Sequence, residues 1–191
     1  MREMNTTGTE MIPIRLIISI AIIAAIVVMI AVGSGSLGVY LAEHQVEQQC
    51  RLLESSLSTM VASGVPRDVD DVNAVDGTKR VQTFTLPDSL VYLSFGGDPD
   101  PLNTGVVTLG GVDDGSAIIY RVEGGSKQVI WFPEKTYKFR EGAYVSDKWV
   151  INGAGRSYVI SGGGKTTLVF EYVQKNHVMY ILIYGASGYT L

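Results

Sequence analysis

The chain has 191 residues, 46% of them hydrophobic, and a net charge of -4, enough for one globular domain beside a membrane segment. Its acidic balance excludes nucleic-acid binding through a basic surface, because neutralising phosphates needs clustered Lys and Arg. The single cysteine, Cys50, excludes an internal disulfide.

Residues 1–13 read as a short leader, and residues 14–32 as a transmembrane helix. Leu16 to Val32 is apolar except for Ser19, and no charged residue stands between Arg15 and Glu43. As a helix, residues 14–32 are about 28 Å long at ~1.5 Å per residue, close to a ~30 Å hydrocarbon core. Pro13 suits a first helical turn, and Arg15 can reach the headgroups. The run exceeds the ~7–15 apolar residues of a secretory signal, so an anchor is expected rather than a cleaved leader. Arg2 and Arg15 precede the run, and the next basic residue is Arg51. That asymmetry places the N-terminus in the cytoplasm and the C-terminal domain outside, in a single-pass protein of the cell membrane. Asn5-Thr6-Thr7, a formal glycosylation sequon, then lies inside.

Residues 33–63 are expected to form a glycine-serine joint and an amphipathic stalk helix. Gly33 to Gly38, GSGSLG, matches a dinucleotide-binding fingerprint in letters, but that motif needs a strand before it and a βαβ unit around it. A flexible joint is expected instead. From Leu37 to about Ala62, Val39, Val46, Cys50, Leu53, Leu57 and Met60 form an a/d-like apolar seam. Two packings stay open. The seam closes on the chain's own β domain, or Val46, Cys50, Leu53, Leu57 and Met60 form an oligomer seam between copies. Cys50 reads as a small buried apolar residue, with an intermolecular disulfide as the alternative. Ser63-Gly64 followed by Pro66 ends the helix.

Residues 64–78 form an acidic connector with Asp68, Asp70, Asp71, Asn73 and Asp76. Val72 and Val75 interrupt the oxygen spacing of an EF-hand, so a solvated linker is expected. A weak divalent-ion site there, near Asp98 and Asp100, or near Asp113 and Asp114, stays open, and no metal ligand is assigned.

Residues 79–191 read as an extracytoplasmic antiparallel β-sandwich, immunoglobulin-like or related, so the fold class is mainly β with an N-terminal α part. The expected strands are Arg80 to Thr85, Leu90 to Phe95, Val106 to Leu109, Ala117 to Val122, Lys127 to Phe132, Tyr144 to Ile151, Ser157 to Ser161, Thr166 to Gln174 and Val178 to Tyr184. Turn chemistry separates them, as at Leu86-Pro87-Asp88-Ser89 and Lys175-Asn176-His177. Met179 to Tyr184 is apolar at nearly every position and reads as a central strand. Trp131, Phe132, Trp149 and Phe170 are the heavy core candidates, with an exposed contact residue as the alternative reading of Trp131. Gly162 to Thr167, GGGKTT, lacks the first glycine of a phosphate-binding loop, since Val159 stands there, and a strand pattern follows it. A hairpin turn is expected.

No catalytic constellation converges. Of the two histidines, His44 lies beside the apolar run and His177 in a turn, and there is no second cysteine to complete a zinc site. A set of Ser161, His177 and an aspartate lacks a nucleophile-elbow sequence. No enzyme activity and no cofactor are expected.

The plan of leader, apolar helix, amphipathic continuation and β-rich head resembles archaeal type IV pilin-like proteins and membrane-anchored accessory proteins of the archaellum. Thr9-Glu10-Met11-Ile12-Pro13-Ile14 through Val32, the stalk to Met60 and the strands after Lys79 carry the resemblance, which is one of architecture. It implies a cleavage after a small residue, here Gly8, with Pro13 standing where the family often has glutamate. The expected function is a structural or adhesive surface head whose partners are the lipid bilayer and further copies or an envelope or S-layer protein. The alternative is a monomeric binding module for a glycan, a divalent ion or an envelope protein, using turns such as Gly96-Gly97-Asp98-Pro99-Asp100.

Overall fold

A computed structural model describes residues 11–71, 73–108, 115–132, 137–153 and 155–186, with the side chains of residues 11–13, 32 and 34–36 outside the description. The leader up to Glu10, with Gly8 and the Asn5 sequon, lies outside the described residues, as do Leu109, Asp113 and Asp114.

One helix, α1, spans Met11–Ser63. Gly33 to Gly38 is helical, so the expected joint is not a break. A glycine costs about 1 kcal/mol in a helix interior, too little to stop propagation between two strong helical stretches. The chain nevertheless divides into two compact units, the first ending at Tyr40 and the second running Leu41–Leu191. In the first unit, Ile14–Ala31 has a mean hydropathy of 2.9, is 0% buried, and is long and apolar enough to cross a membrane. The Ser19 hydroxyl is satisfied locally, donating to the Arg15 carbonyl at 2.9 Å.

In the second unit, α1 ends where Gly64 N–H donates to the Met60 carbonyl at 2.7 Å. The strands that follow are β1 (Arg67–Asp68), β2 (Lys79–Leu86), β3 (Leu90–Phe95), β4 (Ala117–Val122), β5 (Gln128–Trp131), β6 (Lys138–Val145), β7 (Lys148–Ile151), β8 (Tyr158–Ser161), β9 (Gly164–Lys175) and β10 (Val178–Gly185). One sheet has the order β1-β9-β10-β6-β7, with β2 also paired to β9; the other has the order β5-β4-β3-β8.

The apolar run at Met179 to Tyr184 lies inside its sheet, between β9 and β6. The expected all-antiparallel pairing needs correction: β10 runs parallel to β6, and β1 parallel to β9. The expected strand from Tyr144 to Ile151 is a hairpin, β6–β7, turning at Ser146 and Asp147, whose φ values are 49° and 62°. Asn176 and His177 make the same kind of turn at 48° and 61°. Positive φ at both central residues gives the twist that tight antiparallel hairpins need. Val106 to Thr108 is not a strand. It belongs to a loop over one face of the second sheet, where Val107 packs on Tyr92, Ala117 and Ile119.

Aromatic rings join the two sheets into a sandwich-like domain. Phe95 of β3 meets Phe84 of β2 at 5.9 Å, Phe170 of β9 at 5.7 Å and Phe139 of β6 at 6.0 Å. All four are 0% exposed. Phe132 and Phe170 are core residues as expected, but Trp131 is 63% exposed. Strand alternation sends neighbours to opposite faces, and Phe132 takes the inward place. Trp149 is half-buried, stacked on Tyr184 at 4.1 Å and 6°.

Candidate functional site

The expected oligomer seam is spent within the chain. Val46, Cys50, Leu53, Leu57 and Met60 are each 0% exposed in a single copy. They therefore offer no surface to another copy, and the packing on the chain's own β domain is the one adopted. The reason lies along β2, whose free edge attracts the same helix. Gln49 Nε2 and Gln45 Nε2 donate to the Thr85 carbonyl at 2.7 and 2.8 Å, and Thr85 N–H donates to Gln49 Oε1 at 2.7 Å. These amides take the place of a neighbouring strand. Burial, then the Glu47 carboxylate, pushes the Cys50 thiol up to about 12. A cysteine so enclosed cannot meet a sulfur from another chain.

The acidic connector is less solvated than its composition suggests. Asp68, Asp70, Asp71, Asn73 and Asp76 are exposed, but Arg67 and Gly77 are buried. Asp68 Oδ1 and Asp71 Oδ1 accept from the backbone N–H groups of Asp70 and Asn73, so both carboxylates close local turns. Lys79 Nζ pairs with Asp76 Oδ2 at 2.6 Å and holds that carboxyl below its ordinary range. Beneath the connector, Arg67 Nε donates to Glu171 Oε1 at 2.7 Å, and Arg67 Nη2 to the Trp149 carbonyl at 2.6 Å. Gly77 N–H and the Tyr184 hydroxyl also donate to Glu171, at 3.2 and 3.3 Å. Sequence reasoning missed this network, because nothing local links residues so far apart in the chain.

Asp98 and Asp100, candidates for an ion site, are already neutralised by cationic side chains. Lys127 Nζ lies 2.6 Å from Asp98 Oδ2 and donates to the Asp100 carbonyl at 2.6 Å. Asp100 is 1% exposed. Its carboxylate accepts from the N–H groups of Thr104 and Gly105, both at 2.8 Å, and from Arg121 at 3.3 Å. Burial raises the Asp100 carboxyl, but the Gly105 and Thr104 donors and Lys127 together outweigh it and hold the group below its ordinary range. An ammonium thus stands where a metal ion would be needed. Among the described residues no group of three or more His, Cys, Asp and Glu side chains forms a metal-binding cluster. Next to this loop the Tyr92 hydroxyl is buried with no hydrogen-bond partner among the described residues. Burial first, then Asp98 and Asp100, pushes its pKa up to about 12.

The remaining sequence candidates are not brought together. Ser161 ends β8 beside the start of β9, while His177 follows the end of β9. A twelve-residue strand at ~3.3 Å per residue sets them roughly 35 Å apart. Gly162 and Gly163 turn the chain from β8 to β9, but the expected hairpin needs correction, because β8 pairs with β3 in one sheet and β9 lies in the other, so the glycines make a crossing between sheets.

What stands out on the surface is β5, the outer strand of its sheet, with Val129 at 40% and Trp131 at 63% exposure. No protein-family model matches the chain, and no curated protein and no solved structure matches it either.

Proposed function

We propose that this is a single-pass membrane-anchored surface protein of pilin-like plan, with an immunoglobulin-related β-sandwich head in a structural or adhesive role rather than a catalytic one. One observation carries the reading: Ile14–Ala31 has a mean hydropathy of 2.9 yet is 0% buried within the chain. So much apolar helix surface needs a non-aqueous environment, and lipid supplies it. The head supports the structural part of the reading. Its acidic loop is internally paired, and its helix seam is buried. The N-terminus faces the cytoplasm and the head faces outward, by the distribution of Arg2, Arg15 and Arg51.

The test uses full-length protein in expressing cells. It should stay in the membrane pellet after alkaline carbonate extraction. A Val75→Cys variant, at a position 86% exposed, should react with a membrane-impermeant maleimide on intact cells, while buried Cys50 stays silent. Release by carbonate sinks the anchor, and labelling only after lysis sinks the orientation.

A further inference from the structure

The strand edges of the head are not treated alike. The edge of β2 is closed by Gln45 and Gln49 through Thr85. On β7 the Trp149 carbonyl accepts from Arg67. Just before β8, the Arg156 carbonyl accepts from Glu141 N–H of β6 at 2.9 Å. Edge strand β5 carries no such cover among the described residues.

The register says which groups are bare. Phe132 N–H donates to the Ser116 carbonyl at 3.2 Å, and Trp131 stands opposite Ala117 and Val129 opposite Ile119. In an antiparallel ladder bonded and non-bonded pairs alternate. The backbone N–H and C=O of Val129 and Trp131 therefore point away from β4, at the two positions of β5 whose side chains are also exposed. Natural edges are usually guarded by charge, proline or a bulge. Gln128-Val129-Ile130-Trp131 has none of these.

We propose that β5 pairs antiparallel with β5 of a second copy, about a two-fold axis through Ile130. That axis sets Val129 against Trp131 of the other copy twice, which matches all the outward backbone groups in two bonded pairs. It also places each exposed indole beside a β-branched side chain on the same face, a favourable cross-strand pair. No free like charges meet, because Gln128–Trp131 is uncharged and the adjoining Lys127 is held by Asp98 and the Asp100 carbonyl. The contact is small beside the ~1,600 Å² of a stable soluble interface. It therefore needs copies confined to one surface, where effective concentration replaces area. In that respect the inference rests on the membrane-anchor reading.

The test co-reconstitutes full-length Val129→Cys and Trp131→Cys proteins in phosphatidylcholine vesicles and oxidises them mildly. Bonded antiparallel pairs hold Cα atoms about 5.5 Å apart, within disulfide range. The mixture should give several-fold more disulfide-linked dimer than either variant alone, or than Val81→Cys, exposed on β2 at 65%. Equal yields in all samples overturn the proposal. In the unmodified chain, acrylamide quenching of tryptophan fluorescence should fall as protein is concentrated in the bilayer, and should not fall for Val129→Lys. Quenching that ignores protein density overturns it too, as does protection that appears only with a different protein present. Vesicle flotation keeps the two readings apart: a chain that does not float fails as an anchor, and a floating chain that does not cross-link fails only at β5.

Discussion

The Arg67 guanidinium meets the Glu171 carboxylate at 2.7 Å, with their side chains 2% and 1% exposed. The pair fastens the segment after the helix to β9, where Arg67 stands in parallel register with Val173. Removing one partner leaves the other charge buried and unmatched. Glu171→Ala is therefore expected to destabilise the head by about 3–5 kcal/mol, while Arg67→Met with Glu171→Leu together should cost far less. Urea denaturation followed by tryptophan fluorescence measures both. Similar losses for the single and double variants would show that packing, not charge, holds this junction.

Tyr92 offers the opposite case. Its buried hydroxyl has no partner among the described residues, so it is a desolvated polar group without compensation. Tyr92→Phe should raise stability by roughly 1 kcal/mol. The phenol pKa is pushed up to about 12 in the fold against about 10 in an unfolded chain. The folded state thus holds its proton more tightly, and stability present below about pH 10 is lost as pH rises toward 12. Thermal melts across that range should fall less steeply for Tyr92→Phe than for the parent.

Asp100 sets the acid limit of the loop over Tyr92. Its carboxyl lies below the ordinary range in the fold, so its contribution is present above an unfolded value of about 3.9 and is lost as pH falls through the lower folded value. Asp76, held down by Lys79, adds to the same trend. Asp100→Asn keeps the shape but not the charge facing Arg121 and Lys127. It should lower the melting temperature at pH 7 and flatten its decline as pH falls below about 4. A variant curve parallel to the parent's would remove Asp100 from the acid response.

Cys50 should be inert. With 0% exposure and a thiol pushed up to about 12, it holds almost no thiolate near neutrality. A thiol-specific reagent at pH 8 should react at a rate limited by opening of the fold and stoichiometrically in denaturant. Rapid labelling of the native chain would mean that the helix leaves the head easily.

Much of this arrangement is legible along the chain. The apolar helix, the seam from Val46 to Met60 and the interior place of β10 follow from runs and spacings that local physics imposes. The losses have local causes as well. Strand β6 begins Lys138-Phe139-Arg140-Glu141-Gly142, where only Phe139 is fully buried, so it reads as polar linker. The Ser146-Asp147 turn lacks glycine and asparagine, which hides a hairpin inside one apparent strand. Trp131 and Phe132 are equal claimants to the core by composition, and only the sheet's position decides between them. GSGSLG looks like a break because glycine disfavours helix, yet the helices on either side carry the backbone through it. The Arg67–Glu171 pair has no sequence signature.

The pairing of β1 with β9 also sets an order of events during synthesis. Arg67 leaves the ribosome early, but its partner Glu171 and the neighbouring Val173 come close to the end of the chain. Until β9 and β10 emerge, the first sheet has neither its centre nor its long-range contacts, and such non-local closure is slow. Val46, Leu53, Leu57 and Met60 are made before every strand of the head. A nascent chain thus carries an uncovered apolar helix face until the strands that pack on it have emerged, and a chain truncated before β9 lacks the centre of its first sheet.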